Sequence, residues 1–229
     1  MPAGRNRNSE SVDNYLKAIL SLSGPREDRV TSTALAHHLA VAPASITNML
    51  QKLAASADPL VEYERHRGFR LSPAGKRRAL EIVRHHRLIE TFLYKILDYP
   101  IEEVHEEAER LEHFISERFE ERIAAKLGHP RIDPHGHSIP TMDGEMPPQS
   151  TLRLTDVSDG GLFVIDSVGD RDVETLRLLE ATGIKAGARL KVKPRTAREH
   201  YTVSIGRSPK MVDLTHEVAG DIRIVPFER

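Results

Sequence analysis

Apolar and polar positions change period along the chain. They follow helical spacing up to Asp58-Pro59, alternate between Leu60 and Leu71, return to helical spacing as far as Gly128, and alternate in short runs from Thr151 onward. Ser9 or Ser11 caps a predicted first helix with Tyr15, Leu16, Ile19, Leu20 and Leu22 inward, ending at Gly24-Pro25. Residues 1–9 are polar and expected to be mobile. Thr31-Ser32-Thr33 opens a short second helix, A-L-A-H-H-L, and a tight turn at Ala40-Val41-Ala42 leads to Pro43, a favoured first-turn residue. The third helix turns Ile46, Met49, Leu50 and Leu53 inward and must end before Asp58-Pro59. Alternation either side of Arg65-His66-Arg67-Gly68 predicts a two-stranded hairpin.

Ser72-Pro73 caps a long helix from Ala74 to about Leu97, with Leu80, Ile82, Val83, Leu88, Ile89, Phe92 and Leu93 on a broad apolar face. Asp98-Tyr99-Pro100 turns the chain into a single predicted helix from Ile101 to Gly128, giving an antiparallel helical hairpin. His129–Ser150 is dense in Pro, Gly and His and reads as loop, His135 and His137 included. Five strands are expected beyond it: residues 151–157, 161–168, 188–194, 200–206 and 222–227, with a short helix at 172–183.

Helix, three-residue turn, helix and a basic hairpin make a winged helix-turn-helix, whose second helix suits the DNA major groove. Its outward residues are Ala44, Ser45, Thr47, Asn48, Gln51 and Lys52. Asn48 can read a base edge, Ser45, Thr47 and Lys52 can touch phosphate, thymine methyl or base, and Arg65 and Arg67 on the hairpin suit phosphate or the minor groove. Charge agrees with that division. The overall net charge is −1, yet residues 1–78 hold 12 Lys+Arg against 7 Asp+Glu, while residues 101–122 hold 9 Glu against 3 Arg.

A basic front and an acidic middle suit a polyanion and a cation respectively. On the 101–128 helix, Ile101, Val104, Ala108, Leu111 and Ile115 form an apolar stripe, and His105, Glu109, Glu112 and His113 fall along its edge. Two imidazoles and two carboxylates on one edge can converge on one divalent ion, although a solvated acidic face is the simpler alternative for this helix alone. His86 and Glu90, four apart on the preceding helix, share a face and can approach them. Cysteine is absent, which excludes disulfides, thiolate zinc and iron–sulfur ligation, so any metal is held by nitrogen and oxygen. Such a donor set suits Mn²⁺ or Fe²⁺ better than Cu⁺. No apolar run of about 18 residues and no signal-peptide pattern is present, so a cytoplasmic protein without membrane contact is expected.

Five motifs carry a resemblance to a known family: V-D-N-Y-L-K-A-I, A-P-A-S-I-T-N-M-L, Y-E-R-H-R-G-F-R-L-S-P-A-G, R-H-H-R-L-I-E-T-F-L and V-H-E-E-A-E-R-L-E-H. Over residues 10–140 the chain resembles the diphtheria toxin repressor family of metal-dependent repressors, particularly its manganese-transport-regulator branch. The resemblance implies two neighbouring metal sites, one from His86, Glu90 and His105, the other from Glu109, Glu112 and His113 with Asn14. Iron-responsive members carry cysteine at the Glu109 position and methionine at Asn14. Manganese-responsive members carry aspartate at Asn14 and glutamate at the position of Lys17. A protonated lysine cannot bind metal, and Asp13, an adjacent candidate, is turned about 100° from Asn14 on a helix.

The resemblance also gives the fold class: mainly α with α+β parts, comprising a winged helix-turn-helix domain (1–73), a helical dimerisation and metal-binding domain (74–140), a linker (141–150) and a small SH3-like β-barrel of the FeoA type (151–229). In some relatives this last domain lends oxygen ligands, for which Asp172 and Glu174 are the nearest candidates. Asp133-Pro134-His135-Gly136 matches a turn common in the family and is read as structural. The expected molecule is a homodimeric Mn²⁺-activated repressor of metal-uptake genes, with Fe²⁺ the alternative ion and Zn²⁺, Co²⁺ or Cd²⁺ able to substitute in vitro. Metal would fix the two reading helices about one duplex turn, roughly 34 Å, apart on a palindromic double-stranded operator. A metal-dependent enzyme is the rival class, but H-E-x-x-H is absent and Glu-x-x-His does not recur on a partner helix.

Overall fold

The computed structural model describes residues 7–24, 27–170, 172–194, 200–206, 208 and 210–227. They form two compact units: one takes residues up to His85 with Glu112–Ser116 and Pro140–Met146, the other His86–Leu111, Glu117–Ile139 and Pro147 onward. Among the described residues no helix is long and apolar enough to cross a membrane.

The first unit opens with α1 (Arg7–Ser23), α2 (Ser32–Leu39) and α3 (Pro43–Ala54). The Thr31 side chain accepts from the Ala34 amide at 3.1 Å to cap α2, and Pro43 starts α3 as expected. The start of α1 is a correction. The described helix already runs from Arg7, so Ser9 and Ser11 lie inside it and not at its N-cap position; Pro25, in the expected terminator, lies outside the described residues. Leu16, Ile19, Leu35, Ile46, Leu50 and Phe69 are fully or almost fully buried in one core, the close packing that fixes α3 against α1 and α2.

Strands β1 (Val61–Glu64) and β2 (Gly68–Leu71) pair antiparallel with Glu64 opposite Gly68, forming the wing. Val30 bridges Phe69 through backbone bonds of 2.7 and 2.9 Å. Gly68 sits at φ 95, and a Cβ there would stand 2.4 Å from the Val30 carbonyl, so this position tolerates only glycine. Helix α4 (Pro73–Ile96) follows, with the Ser72 hydroxyl accepting from the Gly75 amide at 3.0 Å.

The expected single helix from Ile101 to Gly128 is two: α5 (Ile101–Leu111) and α6 (Glu117–Lys126). The apolar stripe holds through Ile101, Val104 and Ala108, then fails, leaving Leu111 and Phe114 exposed. At the break the Glu112 carbonyl, which a continuing helix would use for its own ladder, lies 3.2 Å from His85 Nδ1. Helix α6 ends as predicted, with Gly128 at φ 74 and the His129 amide donating to the Ala124 carbonyl at 2.8 Å.

The C-terminal part of the second unit is one antiparallel sheet in the order β6-β5-β4-β3-β7, from β3 (Gly161–Ser167), β4 (Arg189–Val192), β5 (His200–Ile205), β6 (Met211–Thr215) and β7 (Arg223–Pro226). Alternate residues Leu190, Val192, Tyr201 and Val203 face its core beneath α7 (Val173–Thr182) and α8 (His216–Gly220). Residues 151–157 are not the expected strand. A 3-10 turn at Leu154–Asp156 replaces it, closed by the Asp156 carboxylate accepting from the Arg153 amide at 2.8 Å. The fifth strand is instead β6, an edge strand in which Leu214 alone is fully buried, too brief an alternation to register in the sequence.

Candidate DNA-reading surface and metal centre

On α3, Ala44, Ser45, Asn48, Gln51 and Lys52 are exposed, as their outward phase requires. Thr47 is half-buried, and its hydroxyl donates to the Pro43 carbonyl at 3.1 Å and approaches Ser32 Oγ at 3.3 Å, which ties α3 to the start of α2. In the wing, Arg70 pairs with Glu62 at 2.6 Å, and Glu64 takes Arg29 at 3.1 Å and Arg67 at 3.0 Å. Arg65 is exposed and Arg67 is 71% exposed at the tip, where His66 turns the backbone at φ 65. Two guanidiniums are thus displayed at the tip, that of Arg67 sharing Glu64 with Arg29, while Arg70 on β2 is paired with Glu62.

In the second unit, α4 and α5 bring His86, Glu90, His105 and Glu109 together as their spacing suggests. His86 Nε2 lies 2.9 Å from Glu90 Oε1 and 3.1 Å from His105 Nδ1, and His105 Nδ1 lies 3.1 Å from the same carboxylate oxygen. Glu109 Oε1, expected with Glu112 and His113, stands 4.0 Å from both His86 Nδ1 and His105 Nε2, so it joins this group.

The loop after α6, which reads as plain punctuation in the sequence, adds donors. Asp133 Oδ1 accepts from the His135 and His137 amides, both at 2.9 Å, and that bend presents both imidazoles. Gly136 at φ 93 permits the turn where a Cβ would meet the Asp166 carbonyl at 2.2 Å. Arg87 fastens the loop to α4 through the Ser138 carbonyl and, at 3.6 Å, through Asp133 Oδ2. His135 is fully buried with Nδ1 3.9 Å from Glu90 Oε2, and the loop is therefore part of the cluster rather than simple punctuation.

Asp170 completes the group. Its Oδ2 lies 3.9 Å from His105 Nδ1 and 3.5 Å from His137 Nδ1. The candidates Asp172 and Glu174 do other work: Asp172 caps α7 by accepting from the Thr175 amide, and the largely exposed Glu174 pairs with Arg177. The family resemblance points to this acidic stretch without fixing the position; the acid just upstream of the cap is the one carried into the cluster.

Three sets in this group, His86–His105–Glu109 and Glu90–His105–Asp170, which share His105, and Asp133–His135–His137, each have ligand atoms within 4.8 Å of one another. Burial pushes the Glu90 carboxyl up, but His86, His105 and His135 outweigh it and hold Glu90 well below the usual carboxylate range. Burial likewise raises the Asp170 carboxyl, and His137 with the other imidazoles brings it below normal. Burial depresses the His135 imidazole, while Glu90, Asp133 and Asp170 raise it above normal overall. Glu90 Oε2, Asp133 Oδ2, both His135 ring nitrogens and His137 Nδ1 are buried without a hydrogen bond. Buried donors left in this state are costly unless something binds them, and the set fits a divalent cation: imidazole and carboxylate with no sulfur.

In the first unit, Glu112 and His113 leave the helical path and are both buried. Lys17 Nζ sits 2.7 Å from Glu112 Oε1, and His113 Nε2 is 3.4 Å from the same oxygen. Asp13, four residues before Lys17 and so on the same face of α1, points Oδ2 to within 3.5 Å of His113 Nδ1 while its Oδ1 accepts from Arg78 Nε at 2.6 Å. Asn14, the expected ligand from α1, has a buried Oδ1 that makes no hydrogen bond. Here Asp13 is the α1 carboxylate that meets His113.

A winged helix-turn-helix in one unit and a buried nitrogen–oxygen cluster on helices of another define a metal-responsive DNA-binding regulator. Comparison with known proteins agrees. Residues 8–69 match the iron dependent repressor N-terminal DNA binding domain, residues 72–141 its metal binding and dimerisation domain, and residues 152–226 the FeoA domain. A solved manganese-dependent transcriptional repressor in complex with manganese is 36% identical, with a TM-score of 0.85 over 94% of this chain and 100% of that one. The iron-dependent repressor IdeR of Mycobacterium leprae is 27% identical over 94% of this chain and 96% of its own. The HTH-type transcriptional regulator MntR of Bacillus pumilus is 34% identical over 49% of this chain and 76% of its own. The chain belongs to the iron-dependent, or diphtheria toxin, repressor family: it is a metal-dependent DNA-binding transcriptional repressor and not an enzyme.

Proposed function

We propose that the chain is a cytoplasmic, Mn²⁺-activated repressor of metal-uptake genes that binds a palindromic operator as a homodimer. The observation that carries this is the sulfur-free group of His86, Glu90, His105, Glu109, Asp133, His135, His137 and Asp170, with buried ligand atoms that make no hydrogen bond. Its donors are those that suit Mn²⁺ or Fe²⁺, and the relative with a TM-score of 0.85 is a manganese-dependent repressor in complex with manganese. A bound ion supplies the positive charge that four carboxylates in one place require.

The residues then act mechanically. Glu90 and His86 belong to α4, His105 and Glu109 to α5, His135 and His137 to the loop after α6, and Asp170 to the segment between β3 and α7. Drawing them together ties those elements into one arrangement and raises the fraction of molecules competent to bind the operator. On the DNA, Asn48 and Ser45 read base edges while Lys52, Arg65 and Arg67 hold phosphates.

The test is fluorescence-anisotropy binding to upstream fragments of manganese- and iron-uptake genes, with chelator, Mn²⁺ or Fe²⁺ at matched salt. Tight binding with Mn²⁺ alone is the expected result. Activation by Fe²⁺ alone would reassign the ion, and equal binding in chelator would refute metal activation.

A further inference from the structure

We propose that the second metal locus implied by the family is not a metal site in this chain: the Lys17 ammonium stands in for the cation there. Metal response then rests on the His86–Glu90–His105 cluster with its loop and Asp170. The inference deepens the metal-activated reading and rests on it for what the remaining cluster does.

Four observations lead here. The Glu112 carboxylate, fully buried, takes Lys17 Nζ at 2.7 Å. The Asp13 carboxylate, also fully buried, takes Arg78 Nε at 2.6 Å. Each acid at the locus therefore already has a base, and these four charged groups sum to zero. Glu109, expected as a third acid there, stands with the other cluster, 4.0 Å from His86 and His105. Finally, Lys17 reaches the locus from α1 itself, the helix that is expected to supply a ligand, so a divalent ion bound by Glu112 and His113 would face an ammonium within contact distance of its own ligand. His113 lies between the two acids, 3.5 Å from Asp13 and 3.4 Å from Glu112, and its two ring nitrogens, like Asn14 Oδ1, are buried without a hydrogen bond, so it is the Lys17 and Arg78 charges, not a shortage of ligand atoms, that exclude a cation here. The consequence is that the join between α1 and residues 112–116 is made permanently by protein charge, where a second ion would have made it conditional on metal.

The experiment counts Mn²⁺ per chain by equilibrium dialysis and atomic emission on the full chain, first stripped with chelator, with circular dichroism to confirm folding. His113→Gln is expected to bind as many ions as the wild type, and Lys17→Glu one more. One ion fewer in His113→Gln, or no gain in a folded Lys17→Glu, overturns the proposal. Lys17→Gln, which removes the charge at similar length, replaces Lys17→Glu in the same comparison if that variant does not fold. Glu90→Gln in the same assay tests the other cluster separately: if it binds like the wild type, the metal-centre reading fails while the Lys17 and His113 comparisons still decide this one.

Discussion

Replacing Arg65 and Arg67 by glutamine should flatten the salt dependence of DNA binding by an amount set by the wing. Both side chains stand at the exposed tip, and the intervening turn, with His66 at φ 65, contains no other cation. Arg67 shares Glu64 with Arg29, which stays paired at 3.1 Å when Arg67 is removed. Exposed ion pairs of this kind contribute about 0–1 kcal/mol, so the wing should stay folded.

Each lost phosphate contact lowers the slope of log affinity against log salt by about 0.9, so two arginines remove about 1.8. Between about 50 and 200 mM salt, the ratio of wild-type to variant affinity should therefore shrink roughly 12-fold for one wing, and roughly 150-fold for the two wings of a dimer. Anisotropy titrations at four or five salt concentrations, with metal saturating, measure the slope directly. Equal slopes for variant and wild type would show that the wing does not touch phosphate, whatever the loss of affinity at one salt concentration.

Glu90→Gln should weaken Mn²⁺ binding by at least about 10- to 100-fold in calorimetric titration, because Glu90 joins the α4 and α5 histidines to His135; unchanged affinity would remove it from the centre. Asp170→Asn should weaken the same binding by roughly 10-fold or more. Asp172→Ala, by contrast, should lower the melting temperature through loss of the α7 cap and leave metal affinity alone, the reverse pattern refuting the assignment of Asp170. Gly136→Ala, with its Cβ 2.2 Å from the Asp166 carbonyl, should cost roughly 2–4 kcal/mol by calorimetric unfolding. Gly187→Ala, at φ 80 but in open space, should cost less, and equal losses would contradict the steric account.

Whatever depends on local periodicity and capping is legible in the order of residues alone. Thr31, Pro43 and Gly128 set the ends of their helices, the Ile46 and Leu50 phase turned Ala44, Ser45 and Asn48 outward, and His86 and Glu90 met because positions four apart on a helix share a face. Absence of cysteine confined any metal to nitrogen and oxygen donors. Where local signals fit more than one path, contacts between distant segments made the choice. Helical periodicity continued past Leu111, but burial of Glu112 and His113 beside Lys17 and Asp13 took the chain out of the helix. The loop of His135 and His137 reads as punctuation, because only its fold against Glu90 and Asp170 gives those imidazoles their neighbours. Asp170 and Asp172 are chemically alike and two residues apart; which one faces the cluster is settled by the start of α7, where Asp172 is consumed as the cap. Helix ends and faces are fixed by interactions within a few residues. A cluster of donors is fixed by contacts between segments far apart in the chain, which a local pattern does not encode.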